Sequence, residues 1–184
     1  MPPLNATAYD RKTEMKVKSE HTPGHMYAWV GARLLLGFVF LWAFLDKSFG
    51  LSYSTKPASA WIRGGSPTNG FLSHTTGTFS GFFHAIAGNV VTDWLFMLAL
   101  LGIGLALILG VGMRIAAVSG ALLMLMMYAA ATVGVAATSN PAVDDHLVYA
   151  AVLIGLAMVN AGSVLGLGKY WQSLSFVQKN RYLA

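Results

Sequence analysis

The chain of 184 residues is 55% hydrophobic and only 10% charged, with twelve Lys and Arg against seven acids and a net charge of +5. Soluble domains carry about 25% charged residues, so this composition cannot cover a water-facing surface and points to an integral membrane protein. There is no cysteine, which excludes disulfides, thiol catalysis, iron–sulfur clusters and covalently attached haem within the chain, and the basic balance suits a membrane's positive side better than nucleic acid.

In chain order, residues 1–25 form a polar, unpatterned tail on the cytoplasmic side. Four apolar stretches follow, at about 28–45, 94–111, 115–135 and 147–165, each near the twenty helical residues that a hydrocarbon core of ~30 Å requires. The first is not a signal peptide, because its apolar region is too long and "ASA" (Ala58–Ala60) lies too far downstream. Residues 46–93 make a loop longer than a simple connection needs. Within it "TKPASAWI" predicts a short helix begun by Pro57 and ended by Gly64-Gly65. "TFSGFFHAIAG" predicts a second, with Phe79, Phe82, Phe83 and Ile86 suited to the membrane interface. Spans two and three are separated only by "GMR" (Gly112–Arg114), which forces a tight hairpin, and Asn140-Pro141 turns the chain before span four. Residues 169–184 are a second cytoplasmic tail. The expected fold class is therefore all-α, an integral membrane four-helix bundle with an extracytoplasmic loop containing short interfacial helices.

Positive charge sets the orientation. With the N-terminus inside, eight Lys and Arg are cytoplasmic (Arg11, Lys12, Lys16, Lys18, Arg114, Lys169, Lys179, Arg181) and three lie outside (Lys47, Lys56, Arg63), so both termini are expected in the cytoplasm. Small residues recur in span two (Ala99, Gly102, Ala106, Gly110) and span four (Ala151, Gly155, Gly162). They are expected to let helix backbones approach closely in lipid.

That topology gathers Asp46, Lys47, Asp93, Asp144, Asp145 and His146 at one leaflet boundary, with Arg63, His74 and His84 in the loop above. Two readings stand side by side. Acids at helix N-termini meet the positive end of the dipole, and Asp46 or Lys47 can pair with Arg63. Alternatively the group forms a ligand site, with Asp145 and His146 as the catalytic pair. A quinone headgroup suits such a place, because His146 and Tyr149 offer hydrogen bonds to its carbonyls, and Trp42, Phe44 and Trp94 lie at similar depth, though an ordinary aromatic belt accounts for the tryptophans equally. No metal is expected, since three consecutive helical side chains fan out about 100° apart. Arg33 lies about two turns inside span one, on one face with Gly37, Phe40, Phe44 and Lys47. There it either snorkels to headgroups, bonds Asn160, or serves function.

Three strings, "ARLLLGFVFLWAFLDKSFG" (Ala32–Gly50), "LLGIGLALILGVGMRIAAVSGALLMLMMY" (Leu100–Tyr128) and "DDHLVYAAVLIGLAMVNAGSVLGLGKYW" (Asp144–Trp171), resemble the DoxX/DoxD family of membrane proteins. "AWIRGGSPTNGFL" (Ala60–Leu72) resembles its actinobacterial branch. The resemblance implies a four-helix bundle in a bacterial plasma membrane and, as in the small subunit of thiosulfate:quinone oxidoreductase, oxidation of thiosulfate with electrons passed to a diffusible quinone. It implies that Lys47 and Arg63, with Asp46 and Asp93 beside them, bind the substrate. It also implies other membrane or membrane-associated subunits as partners, leaving open a non-catalytic accessory or assembly role in a larger respiratory complex. One departure is plain: many relatives carry a carboxylate inside span two, whereas Leu95–Gly102 has none.

Overall fold

A computed structural model describes residues 24–131 and 143–183, and every regular element among them is helical. The first, α1 (His25–Phe49), ends at Gly50, whose φ of 66° lets its N–H turn back to the Asp46 carbonyl. Two 3-10 turns, Pro57–Ser59 and Trp61–Arg63, precede α2 (Asn69–Leu72) and α3 (Ser80–Ile86). Then come α4 (Val90–Leu109), α5 (Met113–Ala131) and α6 (Asp145–Met158). A 3-10 turn at Ala161–Ser163, two short helices, α7 (Gly168–Ser173) and α8 (Ser175–Lys179), and a last turn at Arg181–Leu183 complete the chain.

Three of these helices, α1, α4 and α5, are long and apolar enough to cross a membrane. The expected fourth span is not a continuous helix. α6 has 14 residues, about 21 Å at 1.5 Å per residue, short of a core of ~30 Å. The helix stops because Asn160 turns left-handed (φ 49°), and "AGSVLGLG" beyond it is too rich in glycine to resume. Beyond it the chain folds back on itself, with Gly162 and Gly168 side by side against Gly110, and the Leu167 N–H donates to the carbonyl of Leu109, the last residue of α4, at 2.8 Å.

α1 lies antiparallel along α4, and close approach at two glycines sets the spacing. A Cβ on Gly37 would sit 2.8 Å from Ile108 Cγ1, and one on Gly104 would sit 2.8 Å from the Leu41 backbone nitrogen. Dispersion and backbone proximity are the forces left for helix association in lipid, so these contacts carry the pairing. α5 packs along α6, where Gly120 faces Leu153, and also meets Ile103 of α4. Phe40, Met97, Ile103, Leu107, Leu153 and Leu156 fill the shared core. The expected small-residue rows hold in part. Gly110 and Gly162 lie back to back, and Gly155 makes room for the Trp29 ring, but Gly102 faces open space and Ala151 is exposed.

The loop between α1 and α4 folds into a cap. The helix expected over "TKPASAWI" is instead the pair of 3-10 turns, because Ala60 is extended (ψ 138°) between them. The helix expected in "TFSGFFHAIAG" is α3; Phe83 is buried with Leu72 and Ala130, whereas Phe79 and Phe82 are exposed. The short α2 has no counterpart in the sequence reading. The tight hairpin is as expected, with Gly110 (φ 73°) and Gly112 (φ 56°) turning α4 into α5. The Asn140-Pro141 turn, residues 132–135 of the expected third span and residues 1–23 of the N-terminal tail lie outside the described residues.

The bundle thus has two unlike ends. Asp46, Asp93, Asp144 and Asp145 mark one, with the cap over it. Arg33, Arg114, Lys169 and Lys179 mark the other, where α1 begins and α4 ends. Among the described residues every acid belongs to the first end.

Candidate functional site

At the acidic end, two of the four carboxylates are already committed. Asp46 is 1% exposed. It accepts from the Tyr53 N–H (3.2 Å), the Ser54 N–H (3.0 Å) and the Ser54 hydroxyl (2.6 Å), which pins the chain leaving α1. Asp93, in the first turn of α4 and 6% exposed, accepts at Oδ1 from the Ser66 hydroxyl (2.9 Å), the Thr68 N–H (3.2 Å) and the Thr68 hydroxyl (2.5 Å). The Thr68 oxygen in turn receives the Gly88 N–H at 3.4 Å. These acids hold the cap down. The substrate-contacting role assigned to them from the sequence meets, in Asp46, a carboxylate with both oxygens serving loop donors and, in Asp93, one with Oδ1 so engaged, and Asp46 is held by the loop after α1, not by Arg63.

The second pair of acids frames an imidazole. Asp144 is the N-cap of α6, accepting from the Leu147 N–H at 3.2 Å. Its other oxygen lies 2.7 Å from His146 Nδ1, and Asp145 Oδ1 lies 3.5 Å from the same nitrogen. The expectation that three consecutive side chains fan apart is corrected here. Asp144 is extended (φ −118°, ψ −179°), so helical spacing does not apply to it, and one donor atom from each residue falls within 4.8 Å of the others. The expected cap role of Asp144 and the expected catalytic placement of His146 therefore share one hydrogen-bonded unit. An imidazole held at Nδ1 by a carboxylate is fixed in orientation and keeps Nε2 for exchange with something else; Nε2 makes no hydrogen bond among the described residues.

Lys47 is half-buried, its Nζ 5.9 Å from the centre of the Phe96 ring, a cation–π contact across α1 and α4. Trp61 of the cap meets Trp94 edge to face, centroids 4.6 Å apart, and also packs on the core. Tyr149, one turn into α6, packs against that core too. Two assigned residues stand off from this group. Trp42 stacks on exposed Phe38 and touches exposed Tyr53, and it is not part of the core cluster. Arg63 is exposed on the cap, with no ion pair among the described residues. The two histidines of the loop fold the cap: His84 Nε2 donates to the Thr75 carbonyl (2.8 Å) and His74 Nδ1 to that of Gly70 (3.0 Å).

Arg33, at the opposite end, neither snorkels nor bonds Asn160. It is wholly buried. Nη2 donates to the Leu165 carbonyl at 2.8 Å, while Nε and Nη1 have no partner. Nη1 lies against Gly110 and Gly166, where any side chain would collide with it. No acid among the described residues is bonded to it. Nη1 lies beside Gly110, just past the end of α4, and a helix C-terminus carries about half a negative charge. The Leu165 carbonyl and that dipole end are the compensation near this cation among the described residues.

The sequence matches no protein-family model, and no curated protein or solved structure matches it. The residues that sequence reasoning missed, Ser54, Ser66 and Thr68, are the donors that close the cap. Nothing local could have announced Ser66 and Thr68, because Asp93 and these partners are 25–27 residues apart, whereas Ser54 lies only eight residues beyond Asp46.

Proposed function

We propose that this chain crosses a bacterial plasma membrane four times, with both termini cytoplasmic, as a membrane subunit of a quinone-linked oxidoreductase of the DoxX/DoxD type. The fourth crossing is α6 completed by residues 159–162, and its support is the packing of Gly162 against Gly110 at the end of α4. Irregular backbone at membrane depth is tolerated where protein surrounds it, as the Arg33 cradle does.

The observation that carries the redox reading is the Asp144–His146 pair at the mouth of α6. Quinone reduction takes two electrons and two protons, and the quinone supplies the electron-accepting ring. His146 Nε2, a donor when the ring is doubly protonated, and the Tyr149 hydroxyl have no partners among the described residues, which fits two carbonyl acceptors. In the doubly protonated ring Nε2–H gives its proton while Nδ1–H stays on Asp144, so the imidazole keeps its orientation through the transfer. Asp145, more exposed than Asp144, is the group placed to return the proton from solvent. Lys47 is the cation available to an anionic donor such as thiosulfate, two of which yield tetrathionate and two electrons; Arg63 reaches it only by folding inward from the cap.

The test is quinone reduction by thiosulfate in membranes holding this chain with its partner subunits. His146→Gln and Asp144→Asn are expected to slow turnover by about 10²–10⁴-fold, with the protein level unchanged. A second reading, a non-catalytic accessory subunit, is favoured by the commitment of Asp46 and Asp93 to the cap. Fixed co-purification with partners whose activity ignores both substitutions establishes that reading and rejects the first.

A further inference from the structure

The C-terminal segment is a folded hook at the basic end, and neither the redox reading nor the bundle core uses its outer surface. It is tied down from within. Val177 is buried, the Trp171 indole N–H donates to the Leu183 carbonyl, Trp171 packs edge to face on Phe176, and Gln172 Nε2 donates to Asn160 Oδ1 at 3.0 Å. What the hook leaves outside is of a particular kind. Tyr170 and Tyr182 are 69% and 86% exposed, Phe176 is half exposed, and Lys169 and Lys179 are exposed beside them. Residues 147–184 contain no Asp or Glu.

Its depth is fixed by its neighbours. Leu165 and Leu167, immediately before α7, are exposed apolar residues, as are Ile115 and Val118 near the start of α5. The hook therefore begins where the apolar wall of the bundle stops. Exposed tyrosines at that level have an apolar ring for the acyl boundary and a hydroxyl for the headgroups. Ammonium groups with no acid beside them among the described residues are drawn to anionic lipid, by an amount that falls off within a Debye length. Neutral headgroups would satisfy the tyrosines but not the charge.

We propose that the hook, residues 168–183, is a docking surface for anionic phospholipid headgroups, with Lys169 and Lys179 on the phosphates and Tyr170, Phe176 and Tyr182 seated at the acyl boundary. The inference needs the chain to lie in a bilayer but not the redox activity. The hook is held in register by the Arg33–Leu165 bond just ahead of it, so its position relative to the membrane is built into the bundle.

The test uses the full chain in nanodiscs of phosphatidylcholine with and without phosphatidylglycerol. Amide exchange across residues 168–183 and the phosphatidylglycerol retained in native mass spectrometry are the readouts. Exchange in the hook is expected to slow when phosphatidylglycerol is present, and the slowing to fade with added salt. Each lysine removed is expected to weaken headgroup retention about fivefold, so Lys169→Gln with Lys179→Gln abolishes the lipid dependence. Lys56→Gln, at the other end of the bundle, leaves it intact. Both lysines are exposed, and unchanged exchange in α1 and α4 verifies that the double variant is folded. Protection of the hook that is equal in neutral and anionic discs overturns the proposal and assigns the surface to a protein partner or to the chain's own tail. No protection in either disc overturns it as well.

Discussion

Asp93 offers the sharpest separation between a structural and a substrate-binding carboxylate. All three of its donors converge on one oxygen, Oδ1. Substitution by alanine leaves the buried Thr68 N–H and hydroxyl without an acceptor. An orphaned buried group costs about 1–3 kcal/mol, whereas Ser66, being partly exposed, finds water. Loss of the favourable charge at the start of α4 adds about 0.3–1 kcal/mol, and relief from burying a carboxylate offsets part of the total. A net cost of about 2–4 kcal/mol for closing the cap follows, which raises the opening equilibrium roughly 30- to 1000-fold at about 1.4 kcal/mol per decade. Asparagine keeps Oδ1 and loses only the charge, so Asp93→Asn is expected to cost about 1 kcal/mol. Amide exchange at Thr68 in the detergent-solubilised protein reads both: fast in Asp93→Ala, close to wild type in Asp93→Asn. Equal exchange in wild type and Asp93→Ala would refute the latch. Equal acceleration in both variants would show that charge, not acceptor geometry, holds the cap.

Other substitutions are expected to behave as follows. Arg33→Met loses a charge-assisted bond of about 1.5–3 kcal/mol but also removes two unpaired N–H groups of comparable cost, so its thermal stability should stay within about 2 kcal/mol of wild type; Arg33→Ala adds a cavity and falls about 2–4 kcal/mol further. Equal damage from the two would mean that the guanidinium has a partner in the membrane. Gly104→Ala drives a Cβ to 2.8 Å from the Leu41 backbone nitrogen and is expected to destabilise by about 1–3 kcal/mol in thermal unfolding, while Gly102→Ala, facing open space, changes little. In ¹⁵N spectra of labelled histidine, the neutral His146 ring is expected to carry its proton on Nδ1 in wild type and to lose that preference in Asp144→Ala; an unchanged tautomer ratio argues against the pair.

The architecture came through from the sequence where the bilayer imposes it. Hydropathy alone locates α1, α4 and α5 because lipid leaves a backbone no option but internal hydrogen bonding, and the helical spacing of Arg33, Gly37, Phe40, Phe44 and Lys47 marks the face that α1 turns inward. The sequence also places Asp46, Asp93 and Asp144–His146 at one end, since charge can gather only where the apolar runs stop.

What those residues do there was a tertiary decision. Whether a carboxylate is free or spent depends on where the loop places its donors, seven or eight positions on for Asp46 and 25–27 back for Asp93, so both look like Asp145 in the sequence and differ from it in the fold. The extended backbone of Asp144 overrode helical spacing and brought its oxygen to His146. The break after Met158 turned a span into a cradle for Arg33. Periodicity along a chain records which side faces lipid; only the folded contacts determine which polar groups have already found each other.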